Sequence, residues 1–192
     1  MVSVTPSQVH RWTRHEYHRL AELGFFEGRR VELIEGQVID MAAMRSPHAV
    51  AIDLVDAALK ALFGSGYYIR QQKPFVVSDI SEPEPDVAIV EGSIRDYTDA
   101  HPTAAALLVE VADTSVSYDR RFKGSLYAKA GVAEYWIVNL VKRQLEVYRQ
   151  PVVDDQATYG WHYAEVSTYQ SGQSVAPLNA TDQWAAVEDL LP

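Results

Sequence analysis

Residues 106–115 read A-L-L-V-E-V-A-D-T-S and residues 134–139 read E-Y-W-I-V-N, with a polar, helix-patterned segment between them. Two short apolar runs around such a segment predict strand, helix, strand, an α/β order. The first run carries one carboxylate, Glu110, inside it. A buried strand has no place for an unpaired charge, because desolvating it is costly. Glu110 therefore needs a compensating partner, and the leading answer is a metal ion shared with Asp86.

Asp86 opens the apolar run D-V-A-I-V at 86–90, whereas Glu110 stands near the end of its own run. Antiparallel pairing through the intervening loop sets start against end, so both carboxylates reach one end of the sheet. Two carboxylates that close repel unless a proton or a cation sits between them. Oxygen ligands of this kind suit Mg²⁺, which keeps several waters of its own. The backbone carbonyl of Val111 is a natural further ligand. Lys123 is the third candidate, for it shares a helix face with Asp119, Phe122, Leu126, Tyr127 and Ala130. Two readings of it stay open: an amine directed at the sheet and its carboxylates, or an Asp119–Lys123 surface pair at i,i+4.

Working outward, Thr5-Pro6 resembles a helix start, followed by a helical pattern from Ser7 to Leu23 that ends at Gly24. His10, His15 and His18 read as a polar helix face, since no carboxylates in the pattern converge on them. Residues 30–41 predict a β-hairpin turning at Gly36. Glu32 could reach a site from the hairpin's edge, but Glu32 and Glu35 both read more simply as solvated strand positions. Ser46-Pro47 starts a helix that closes at Gly64. His48 in its first turn is either a site residue or a locally bonded helix-start histidine. Strands follow at 67–77, interrupted by Pro74, and at 86–90 and 105–111. A helix then runs to Ala130 with Gly131 as its cap, and strands are expected at 134–138, 144–148 and 161–166, with a loop at 151–160 and a closing segment at 187–191.

The 192 residues suit a single domain over 1–192. With no cysteine, there is no disulfide framework, thiolate nucleophile or Cys-based zinc site, which fits a reducing cytoplasm. No apolar run approaches the ~18 residues of a membrane span. A net charge of −9 argues against coating nucleic acid by bulk attraction, though a local basic groove is compatible with it.

Asp86, Glu110 and Lys123, on a helix–strand–strand–strand–helix–strand order, resemble the PD-(D/E)XK nuclease superfamily. Within it the chain is most similar to the Uma-type family of restriction-endonuclease-like proteins. The blocks that carry the resemblance are E-Y-H-R-L-A-E-L-G at 16–24, R-V-E-L-I-E-G-Q-V at 30–38, M-A-A-M-R-S-P-H-A at 41–49 and P-E-P-D-V-A-I-V at 83–90. The most specific are L-L-V-E-V-A-D-T-S at 107–115 and Y-D-R-R-F-K-G-S-L-Y-A-K-A-G-V-A-E-Y-W-I-V at 118–138. The resemblance implies a restriction-endonuclease-like α/β core, a divalent metal (Mg²⁺, with Mn²⁺ an alternative) and DNA as substrate. It implies Asp86, Glu110 and Lys123 as catalytic residues, with Glu32 and His48 as additional site residues. One departure stands out: the superfamily lysine falls two residues after the glutamate, where this chain has Ala112, and Lys123 on the next helix fits the family's own pattern.

These readings imply metal-assisted hydrolysis of DNA phosphodiesters, with ligands Asp86, Glu110 and the Val111 carbonyl. The competing expectation is a nuclease fold kept as a non-catalytic binding or assembly module. A hydrolase of small phosphoesters is a third. A homodimer is a further expectation, to be supported if the apolar strand 134–138 lies at a sheet edge.

Overall fold

The computed structural model describes residues 9–192. Its centre is a six-stranded sheet of β3 (Tyr67–Gln71), β4 (Val87–Glu91), β5 (Leu107–Ala112), β6 (Glu134–Asn139), β7 (Gln144–Val153) and β8 (Trp161–Gln170), in that spatial order. Only β5 and β6 run parallel; the other pairs are antiparallel. The parallel pair is joined by the expected helical crossover, composed of α3 (Val116–Tyr118), a π-helical turn (Asp119–Lys123) and α4 (Gly124–Lys129).

The period-2 alternation of β5 sorts the core. Leu107, Val109 and Val111 face α2 (Ser46–Phe63), packing with its Ala51, Ile52, Val55 and Leu59. Leu108 and Ala112 face the other way, onto Tyr127 and Ala128 of α4. Glu110 lies between Leu108 and Ala112 in this alternation and so belongs to the α4 side. Lengths and ends follow local chemistry: Pro47 occupies the first turn of α2, and Gly64, at φ 59°, ends it.

Beside the sheet stands the hairpin of β1 (Val31–Ile34) and β2 (Gln37–Asp40). Its turn residues Glu35 and Gly36 have φ of 49° and 77°, the primed geometry that matches strand twist. Glycine is required at 36 for a second reason: a Cβ there would lie 2.5 Å from the Arg11 Cβ. The chain also closes on this turn through Trp12 N–H to the Gly36 carbonyl and Gly36 N–H to the Ile80 carbonyl.

Several boundaries differ from the sequence reading. The Thr5-Pro6 start lies outside the described residues, and the first helix among the described residues, α1, covers Arg14–Glu22. Thr13 caps it in a reciprocal box with Glu16: the Thr13 hydroxyl accepts the Glu16 amide and the Glu16 carboxylate accepts the Thr13 amide, which fixes the helix start there. The strand expected over 67–77 stops at Gln71, because Gln72 turns with φ 47° ahead of Pro74. β7 and β8 pair from Val153–Trp161 to Gln144–Gln170, so the 151–160 loop shrinks and the last long strand extends beyond 166. The segment 134–138 is not at an edge. β6 is flanked by β5 and β7 with every residue buried, so it offers no support for a homodimer.

Candidate active site

The antiparallel register Val87↔Val109 carries Asp86, one residue before β4, to the side of Glu110. The Asp86 amide donates to Glu110 Oε2 at 3.3 Å, and Asp86 Oδ2 accepts the Val111 N–H at 2.8 Å. Asp86 Oδ1 takes two more contacts at 3.2 Å, from Gln72 Nε2 and His48 Nε2. On the other side, Glu110 Oε1 accepts the Tyr127 hydroxyl at 2.6 Å and lies 3.3 Å from Lys123 Nζ. Lys123 makes its shorter contact, 2.6 Å, with Glu32 Oε2, which also accepts the Glu84 amide. Asp86, Glu110, Val111, Lys123, Glu32 and His48 thus surround one open cavity of about 280 Å³.

Three of the plainer readings do not hold here. Glu32 and Glu35 are not solvated. Glu32 is closed in by Lys123, and Glu35, 9% exposed, takes Arg11 and Lys129 at 2.7 Å each. Both lie on the hairpin flank that the rest of the chain covers, which strand alternation alone does not reveal. Nor do Asp119 and Lys123 form a surface pair. Both are about 4% exposed, Asp119 is bonded to the Ser115 hydroxyl at 2.6 Å, and Lys123 turns to the two glutamates. The intervening π turn, closed by the Gly124 N–H to the Asp119 carbonyl, adds a residue to this part of the crossover. The N-terminal histidines also differ from their plain reading. Glu82, from a distant loop, receives His18 at 2.7 Å and Arg14 at 2.6 Å, so a carboxylate does converge on this helix.

Electrostatics at the cavity are dominated by burial and by an excess of acid. Full burial pushes the Glu110 carboxyl well above its ordinary range. Lys123 opposes this, while Asp86 and Asp119 add to it. Burial also raises Asp119, to about 6, against the lowering effect of Ser115. For Asp86 burial is again the largest influence, but hydrogen bonds from His48, the Val111 amide and Gln72 outweigh it and hold the carboxyl low. Burial alone would weaken the Lys123 ammonium, yet the charges of Glu110 and Glu32 more than compensate and raise its pKa. These shifts pull against each other, because one ammonium cannot neutralise two carboxylates. The nearer, Glu32, takes the short contact, and the Glu110 carboxyl stays well above its ordinary range. The hydrogen bond to Asp86 raises the His48 imidazole despite its burial.

That imbalance bears on whether the residues suit a cation. Seven carboxyl side chains and three Lys or Arg side chains line the cavity. A divalent ion between Asp86 and Glu110 would remove the repulsion and the cost of ionising Glu110. Among the described residues no three His, Asp or Glu groups are arranged to hold a metal. The side-chain donors are therefore two carboxylates, to which the backbone carbonyl of Val111 at the cavity wall would add, with the remaining positions open to water or phosphate oxygen, as Mg²⁺ accepts. In this sense the residues fit.

Two groups that hold the site's carboxylates escaped the sequence reading: Tyr127, enclosed behind Glu110, and Gln72 at the cavity wall. Tyr127 was legible only as an apolar neighbour four residues from Lys123; its hydroxyl contact with Glu110 depends on how the helix docks. Gln72 carried no signal, since its reach to Asp86 follows from the β3–β4 pairing and the turn after β3.

Comparison with known proteins gives a consistent result. The Uma2 family, described as "Putative restriction endonuclease", matches residues 14–188. Among solved structures the chain is similar to "a putative nuclease belonging to DUF820 from Anabaena variabilis ATCC 29413". The TM-score is 0.71, covering 93% of this chain and 96% of that one, at 16% identity, a likeness of fold. No curated protein matches.

Proposed function

The chain belongs to the Uma2 family, and from that premise we propose that it is a divalent-metal-dependent endonuclease hydrolysing DNA phosphodiester bonds. The observation that supports this most directly is the convergence of Asp86 and Glu110 from adjacent antiparallel strands, with the Lys123 ammonium 3.3 Å from Glu110, at the wall of an open cavity. In this reading Asp86, Glu110 and the Val111 carbonyl would hold Mg²⁺ or Mn²⁺. When bound, the ion supplies positive charge against the scissile phosphate.

The chain's own residues account for the rest. Lys123 serves as a proton donor in hydrogen bonds, not as a base, because its carboxylate neighbours keep it protonated. Its Nζ orients an attacking water or offsets charge that develops on a phosphate oxygen. Glu32 aims the lysine through the 2.6 Å contact, and the Tyr127 hydroxyl fixes the Glu110 rotamer. His48 and Gln72 hold Asp86 from the solvent side. Single-stranded, plasmid and linear duplex DNA incubated with Mg²⁺ or Mn²⁺ test the assignment, cleavage of any one form counting for it. Wild type should cut, and Asp86→Ala and Lys123→Ala should each reduce cleavage at least ~100-fold. Activity untouched by both substitutions removes the proposal.

A second reading, a non-catalytic binding or assembly module, draws on one observation: Lys123 is already engaged by Glu32. Calorimetric titration with Mn²⁺ separates the two. Failure to bind the ion at Asp86 and Glu110, together with no cleavage, favours the module.

A further inference from the structure

The crossover that delivers Lys123 also carries an aromatic strip. Tyr118 lines the cavity. Its ring stacks on Phe122, with centroids 5.1 Å apart and planes at 24°. Phe122 in turn leans on Tyr159, 6.3 Å away and tilted by 59°. All three side chains are only half-buried, unlike Tyr127 and Tyr135 next to them, which are wholly enclosed. Above Phe122 lies the exposed Arg121 guanidinium, 5.3 Å from the ring centroid. Its hydrogen bond is to the Thr158 hydroxyl at 3.4 Å, and no carboxylate pairs with it among the described residues.

The other cations near the cavity are committed. Arg30 is paired with Glu84 at 3.0 Å and Arg45 with Asp113. With seven carboxyl groups around the cavity and a net charge of −9, the surface is poorly suited to neutralising the dense phosphates of a duplex. Stacking requires no such charge, but it needs a base with a free face, which a paired duplex does not present.

We propose that Tyr118 and Phe122 form a stacking platform for an unpaired DNA base beside the carboxylate cavity, with Arg121 contacting the backbone of the same strand, so that the substrate is bound as a single strand. This rests on the nuclease reading of that cavity and specifies its substrate class. Tyr118 is the entry point, being the ring that borders both the cavity and the strip. Phe122 supports it from behind, and Arg121 lies over Phe122 on the exposed side.

The test is fluorescence anisotropy with one labelled oligonucleotide, presented as a single strand and as its duplex, with Ca²⁺ in place of Mg²⁺. The single strand should bind roughly tenfold tighter or more. Tyr118→Leu should lose about tenfold of single-strand affinity, while Tyr118→Phe, which keeps the ring, should bind as wild type. Arg121→Gln should weaken single-strand binding and lower its salt dependence by about 0.7 in log–log slope. Equal or tighter binding of the duplex overturns the proposal. So does unchanged single-strand affinity in a Tyr118→Leu protein whose circular dichroism is native. Duplex binding indifferent to Tyr118 would leave the DNA reading standing and remove the platform alone. No binding of either form would remove both.

Discussion

Lys123 shows how much one side chain is asked to do. It is buried between Glu32 and Glu110, at 2.6 and 3.3 Å, in a place that could hold neither carboxylate cheaply without it. Removing one member of a buried pair leaves the other uncompensated, at a cost of roughly 3–5 kcal/mol. Lys123→Met should therefore destabilise the fold by about that amount in urea denaturation. The double variant Glu32→Gln/Lys123→Met should recover a good part of the loss, because the orphaned charge disappears with its partner. Simple additivity of the two single losses would mean that the pair is not coupled. The same cycle guards the cleavage assay, since a Lys123 variant that unfolds says nothing about chemistry.

At the scale of elements, the crossover helix is tied to the sheet by Glu146 of β7. This carboxylate, 2% exposed, accepts from Arg120 at 2.6 and 2.8 Å, Asn139 at 2.8 Å, Gln144 at 2.9 Å and Tyr148 at 3.0 Å. Burial works against its charge, but the hydrogen bonds from Arg120, Asn139, Gln144 and Tyr148 prevail and bring its pKa down to about 2 from an ordinary 4.5. A carboxyl depressed on folding stabilises the native state fully above its unfolded pKa, and that stability is lost as pH falls through the folded value. Wild type should thus lose on the order of 3 kcal/mol from this group between pH 4.5 and about 2. Arg120→Met should lose ~1–3 kcal/mol at neutral pH and show a shallower acid limb. Identical acid limbs for the two proteins, from urea midpoints across that window, would refute the assignment.

For the molecule as a whole, stability is graded across the sheet. Every residue of β5 and β6 is buried, and these strands sit between layers of helix with neighbours on both sides. β8 ends the sheet, and most of its ten residues are exposed. Hydrogen exchange followed by mass spectrometry should find β5 and β6 peptides protected to the limit of global unfolding, with β8 exchanging well before them. Protection of β8 equal to that of β6 would contradict this gradient and reveal a partner on the free edge. No helix among the described residues is long and apolar enough to cross a membrane.

The order of elements and the oddness of Glu110 are written in the sequence, because both are local. Period-2 and helical patterns set strands and helices, and a single acid in L-L-V-E-V marks itself against apolar neighbours. The same pattern carries the Asp86 partnership, provided the two strands pair antiparallel, which sets the start of one against the end of the other. What the tertiary structure alone decided is which polar groups lose their water. Glu32 and Glu35 read as solvated in a bare hairpin and become buried because the crossover helix and the segment before α1 pack over them. For Lys123 the sequence leaves a surface pair with Asp119 and a sheet-directed amine equally open, and the choice falls to the second because its surroundings come from strands and loops far away in sequence. The depth of β6, too, is set only by β7 and β8 folding beyond it. Desolvation is a sum over neighbours from the whole chain, so no stretch of sequence determines it by itself.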